Sequence, residues 1–178
     1  HNYTWVIMKK RHGFCSFAAV IPLLICLLPT VPVSGQTQDS DSVHMIEVEG
    51  EGAQYWPRWR GPSGQGIVTG TEYVDHWSDS ENVIWRTAVP GNGNSSPIVW
   101  DDRIFLTSGR TGGRQLSILC FRRSDGELLW ETDVAPGGRE YTHPKNGPAA
   151  ATPITDGKFV YASFGSRGIV AVDFDGNR

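Results

Sequence analysis

Three cysteines in 178 residues are too few to build a domain on disulfides. Two of them, Cys15 and Cys26, lie in an apolar N-terminal stretch, so only Cys120 remains beyond it. Cys120 stands in the middle of an apolar run with no histidine near it in sequence. It therefore reads as a buried core thiol, not a nucleophile. Basic residues are scarce as well. Lys9, Lys10 and Arg11 are the only charges in the first 35 residues. Taking these three from 16 leaves 13 basic against 19 acidic residues in the rest, a balance of −6. That excludes the basic patch a nucleic-acid binder needs. No window after residue 35 sustains a helical hydrophobic period, which excludes a helical fold and leaves room only for short helical turns. What the chain does have is turn formers and aromatics: 21 Gly, 11 Pro and 7 Trp, with 39% hydrophobic residues. That composition indicates one all-β domain.

The N-terminus reads as a targeting segment. Met8-Lys9-Lys10-Arg11 is a basic start, residues 14–28 are apolar, and 29–35 are rich in Pro and small residues. This is the pattern of a secretory signal peptide, with translation starting at Met8, residues 1–7 upstream of it, and cleavage after Gly35. The alternative is an uncleaved membrane anchor, but Pro22, Pro29 and Pro32 shorten the usable helix below a good span. Ile25 stands before Cys26 where a lipoprotein site needs a small residue. The protein is thus expected to be exported, periplasmic or extracellular, with no stable span once the signal is removed.

Residues 36–54 are polar and acidic and read as a linker. Tyr55-Trp56-Pro57-Arg58-Trp59-Arg60-Gly61-Pro62 then reads as an ordered irregular loop, because tryptophan rings are costly to leave in water. It is expected to plug one face of the domain, with Arg58 and Arg60 on the rings; the alternative is a stacking platform for a ligand. Residues 82–89 are expected to form a strand, ended by Pro90-Gly91.

From here the chain repeats itself. Ser96-Pro97-Ile98-Val99-Trp100, a turn, 103–108, a Gly-rich turn, 115–121, Ser124-Asp125-Gly126 and Glu127-Leu128-Leu129-Trp130 make four short apolar runs with three turn signals, a four-stranded meander. Thr152-Pro153-Ile154, 159–163, Gly168 to Asp173 and Asp175-Gly176 occupy the same places in the second half. Trp85 to Trp130 is 45 residues, Pro97 to Pro153 is 56, and Cys120 to Ala171 is 51. These are propeller-blade lengths, with the variation falling in loops. One such sheet buries neither face alone, whereas packed sheets bury both. A large aromatic near each outer strand, Trp85 or Trp130, is expected to lie over the neighbouring blade where small residues such as Gly126 and Ala171 let it approach.

Ser96-Pro97, Cys120-Phe121, Gly126 and Trp130, with Ala171-Val172-Asp173 and Gly176 in the second copy, resemble the pyrrolo-quinoline-quinone-type (PQQ-like) β-propeller repeat. The opening 56–62, with Glu81-Asn82-Val83-Ile84-Trp85-Arg86, is similar to the start of secreted, planctomycete-type propeller proteins, which are similar to the outer-membrane assembly-factor lipoprotein. The resemblance implies a β-propeller of four-stranded blades over residues 55–178, one blade near 96–132 and a second near 150–178. A Trp-bearing strand is expected after Gly176, so the chain reads as an incomplete N-terminal fragment of about two blades, with the remainder of the propeller beyond Arg178 as its partner.

Quinoprotein dehydrogenases of this superfamily use a catalytic Asp, calcium ligands and often a vicinal disulfide, and none of these maps onto the sequence. PQQ enters only through the resemblance. No catalytic or metal-binding set is expected: His44, His76 and His143 are far apart, and residues 173–178 put Arg178 where a calcium loop needs Gly, so a β-turn is expected there. The best candidate for partner binding is the loop 137–148, with Arg139, Tyr141, His143 and Lys145. The expected function is a secreted binding scaffold for protein or carbohydrate at the cell envelope. The alternative is the N-terminal part of a quinone-dependent dehydrogenase.

Overall fold

The structure is a computed structural model that describes residues 49–68, 73–134 and 146–178, together with the backbone of Tyr3–Thr4. The chain divides into two units, His1–Lys9 with Ile46–Arg178, and Lys10–Met45. The second unit, and with it the signal-peptide reading, lies outside the described residues.

Among the described residues all regular structure is strand or short 3-10 turn. A two-residue strand β1 (Tyr3–Thr4) pairs antiparallel with β2 (Thr87–Ala88). Four strands then form one antiparallel meander: β3 (Ile98–Trp100), β4 (Arg103–Arg110), β5 (Gln115–Arg122) and β6 (Leu128–Asp133). Three more form a second: β7 (Ile154–Thr155), β8 (Phe159–Ser163) and β9 (Ile169–Asp173). These are the two copies of the repeat, and their turns fall where Asp, Gly and Ser cluster. Between β5 and β6 the register shifts at Cys120/Phe121, and the extra residue sharpens the local twist.

The core explains the continuous apolar character of β4 and β5. Their six central residues are buried in both strands, which is what a sheet covered on both faces requires. One face, with Ile98, Phe105, Leu116, Ile118 and Cys120, shares a core with Val160, Ala162, Phe164 and Val172 of the second sheet. The other face, Ile104, Leu106, Leu119 and Phe121 with their sheet neighbour Val99, packs against Trp85 and Val89. Each such side chain contributes roughly 1.5–3 kcal/mol on burial, so the contact between sheets is a principal source of stability. Thr107 is buried here and donates its hydroxyl to Ala151 O at 3.2 Å. Ser96, at the start of the first copy, donates its N–H to the hydroxyl of Thr152, its counterpart in the second, at 3.0 Å.

Two expectations are corrected. Residues 83–89 do alternate, with odd positions turned inward, but only Thr87–Ala88 pair with another strand. The pattern gives extended backbone, and a strand forms only where a neighbour is present to receive its hydrogen bonds. Second, Ala171 is not the small residue under an incoming tryptophan. It lies exposed on the outward face of β9, and Gly176 takes that role. Gly176 has φ +86° and an added Cβ would come within 2.9 Å of the Trp130 ring, so a turn glycine is what allows the approach.

Candidate functional site

The tryptophans act as links between repeats. Trp85 lies on Gly126 and donates its Nε1 hydrogen to Arg123 O at 2.9 Å. Trp130 lies on Gly176 and donates to Phe174 O at 2.9 Å. Each ring thus rests on the third turn of the following sheet. Thr132 reinforces the second link by donating its hydroxyl to Gly176 O at 2.8 Å.

A second construction joins the inner edges of the sheets. Trp56 pairs with Val99 through both backbone bonds, 3.0 and 2.8 Å, and one residue later Pro57 O accepts the N–H of Thr155 at 2.9 Å. The segment 55–57 is therefore a strap running from β3 to β7. Tyr55 packs on Trp100 with ring centroids 5.0 Å apart. Gly157 also lies against Trp100, and its φ of +90° and missing Cβ leave the ring its place. This agrees with the plug reading for Tyr55, Trp56 and Pro57. Arg60 stacks on Trp59 at 4.3 Å, and Trp59 stays half exposed. Arg58 instead turns to the groove beside the strap.

That groove, about 510 Å³, is lined by Glu49, Glu51, Arg58, Trp100, Ile154 and Asp156. It brings three carboxylates and one guanidinium together with the apolar Trp100 and Ile154, a set of groups suited to ion pairing and hydrogen bonding with a bound group. Asp156 is also the keystone of the β7–β8 turn. It accepts from Phe159 N–H at 2.8 Å, Lys158 N–H at 2.9 Å and the Tyr161 hydroxyl at 3.0 Å. The backbone bonds from Phe159 and then Lys158 hold its carboxyl below the usual range, and the same carboxylate pushes the Tyr161 hydroxyl up.

The other charged groups with displaced pKa values also serve turns. Asp125 accepts from Glu127 N–H at 3.0 Å and Arg122 at 2.9 Å, which keeps its carboxyl low. Asp173 closes the turn 173–177, accepting from Asn177 through both carboxylate oxygens at 2.8 and 3.0 Å, and its pKa is lowered by those bonds. The β-turn expected at 173–178 is what forms. Cys120 is fully buried, and burial pushes its thiol up to about 12, so it is an inert core residue. Among the described residues no group of three or more His, Cys, Asp or Glu converges as a metal site.

The paired tryptophan links, the inner-edge strap and the packed four-stranded and three-stranded sheets are the geometry of blades. A family model described as outer membrane protein assembly factor BamB, a PQQ-repeat model, matches residues 63–178. The chain belongs to this PQQ-like repeat family. No curated protein matches it. Within the family's repeat, Ser96 and Pro97 open β3, Pro153 is buried ahead of β7, and Asp173 ends β9. Arg139, Tyr141, His143 and Lys145 lie outside the described residues. The groove itself was missed in the sequence: Glu49 and Glu51 sit in what reads as linker, and Asp156-Gly157 reads only as a turn. The repeated Asp-Gly signal locates the turn but carries nothing of the strap that completes the site.

Proposed function

We propose that the protein is an exported PQQ-like repeat scaffold that binds protein or carbohydrate at the cell envelope. The observation carrying this reading is the groove of Glu49, Glu51, Arg58 and Asp156, which the strap and the inner edges of both blades build together. Its Asp156 is committed to turn hydrogen bonds, which suits a rigid binding surface better than proton transfer. Export is supported by the basic start at Met8 and the apolar run after it. Among the described residues no helix is long and apolar enough to cross a membrane. The loop carrying Arg139, Tyr141, His143 and Lys145 is the second contact we assign to the partner.

The test pairs two measurements on the purified protein. With PQQ and calcium added, the scaffold reading expects no quinone-dependent reduction of an acceptor dye by alcohols or sugars. Immobilised protein is expected to retain an envelope component saturably, and Arg58→Glu to weaken that retention at least tenfold. Quinone-dependent turnover would instead establish the dehydrogenase alternative.

A further inference from the structure

The groove beside the strap holds charged groups that do not neutralise one another. Glu49, Glu51 and Asp156 line it with Arg58, three carboxylates against one guanidinium, for a net charge of −2. Elsewhere such groups pair: Arg86 with Asp79, Arg110 with Glu131, Arg122 with Asp125 and Glu127. Among the described residues no ion pair includes Glu49, Glu51, Arg58 or Asp156. Nor is Asp156 used up by its turn. Its Oδ1 accepts the N–H groups of Lys158 and Phe159, whereas among the described residues its Oδ2 accepts only the Tyr161 hydroxyl. A carboxylate oxygen has room for a further donor.

The fold sets these groups in place. Glu51 opens the 3-10 turn Glu51–Gln54, whose Gly52 lies against Trp100, and Tyr55 packs on the same ring. Pro57 O accepts the N–H of Thr155, so Arg58 and Asp156 each stand one residue beyond the bond that joins the strap to β7. Ile154 is half exposed and offers an apolar contact.

An uncharged occupant would strip water from four charges and return no partner for them, which disfavours a neutral sugar. A polyanion would meet three carboxylates. A purely cationic occupant would leave Arg58 unpaired. The complement therefore carries both signs, with cations in excess, together with an apolar group. The side chains of one peptide segment supply all three, and the groove volume of about 510 Å³ can hold them.

We propose that the groove takes an extended peptide segment of a protein partner, with Lys or Arg side chains at Glu49, Glu51 and Asp156, a carboxylate at Arg58 and an aliphatic side chain on Ile154. The proposal rests on the scaffold reading and narrows its partner from protein or carbohydrate to protein.

An array of capped heptapeptides, read with the labelled whole protein, tests it. Each peptide holds one Leu and three variable residues among Gly, in every order: two Lys with Glu, two Lys with Gln, three Glu, or three Gln. The best binder of each class is then titrated. The peptide with two Lys and Glu is expected to bind at least tenfold tighter than the all-Glu and all-Gln peptides. That advantage is expected to vanish in the Glu49→Gln, Glu51→Gln double variant, with the melting temperature unchanged because both side chains are exposed. Replacing the peptide's Glu by Gln is expected to weaken binding to the native protein and to have no effect on Arg58→Gln, which identifies the partner of the carboxylate. Equal binding by all classes overturns the proposal, as does a chitosan oligomer that binds as tightly as the best peptide. If Arg58→Glu releases an envelope component while all peptides bind alike, the scaffold reading stands and the peptide proposal falls. If neither responds, both fall.

Discussion

The indole of Trp130 rests on Gly176, and its Nε1 hydrogen is held by the carbonyl of Phe174 at 2.9 Å. Apolar contact and a directed hydrogen bond coincide, so the second sheet is fixed on the first in both distance and orientation. Trp85 repeats the arrangement on Gly126 and Arg123.

Gly176→Ala is expected to destabilise the protein by about 2–4 kcal/mol, from backbone strain at φ +86° and from displacement of the ring. Urea unfolding followed by tryptophan fluorescence measures it. Combined with Trp130→Ala, the two costs are expected to add to less than their sum, since both break one contact.

Cys120 gives an alkaline signature. Its thiol is raised to about 12 in the fold, so between pH 9 and 12 the unfolded chain releases a proton that the folded chain retains. Stability falls as pH rises through that window, by on the order of 4 kcal/mol at its upper end. Cys120→Ala is expected to flatten the alkaline slope of stability against pH. Native protein at pH 8 is expected to leave Cys120 unmodified by iodoacetamide until denaturant is added.

The turn carboxylates act in acid. Asp156 and Asp173 are held low by backbone and side-chain hydrogen bonds, so their stabilisation is complete above the unfolded value near 3.8 and is lost as pH falls through the folded one. Carboxylate NMR titration is expected to place both below ordinary aspartate. Asp156→Ala is expected to speed amide exchange at Lys158 and Phe159 well before the core opens.

Ser95 stands in for a backbone pair, donating to Thr107 O at 3.3 Å and accepting its N–H at 3.1 Å. Ser95→Ala is expected to cost about 1–3 kcal/mol, because a buried N–H loses its partner. Ser95→Thr, which keeps the hydroxyl, is expected to recover most of it in the same thermal melt.

The meander of 96–130 was readable because period-two runs and Asp-Gly turns are local signals. The second copy followed from it by repetition. The identity of the glycine under Trp130 was not readable: Ala171 and Gly176 are both small and both within reach in sequence, and only sheet register puts one outward and the other beneath the ring. The groove was less readable still, since Pro57 meets Thr155 through backbone atoms that leave no trace in side-chain type.

The strap also has a bearing on how the molecule is made. Residues 55–57 leave the ribosome before their partners Val99 and Thr155, which lie in strands synthesised much later. Contacts so distant along the chain close late. The bonds of Trp56 to Val99 need only the first blade, but the strap is complete only once Thr155 reaches Pro57, so its closure marks the completion of the pair.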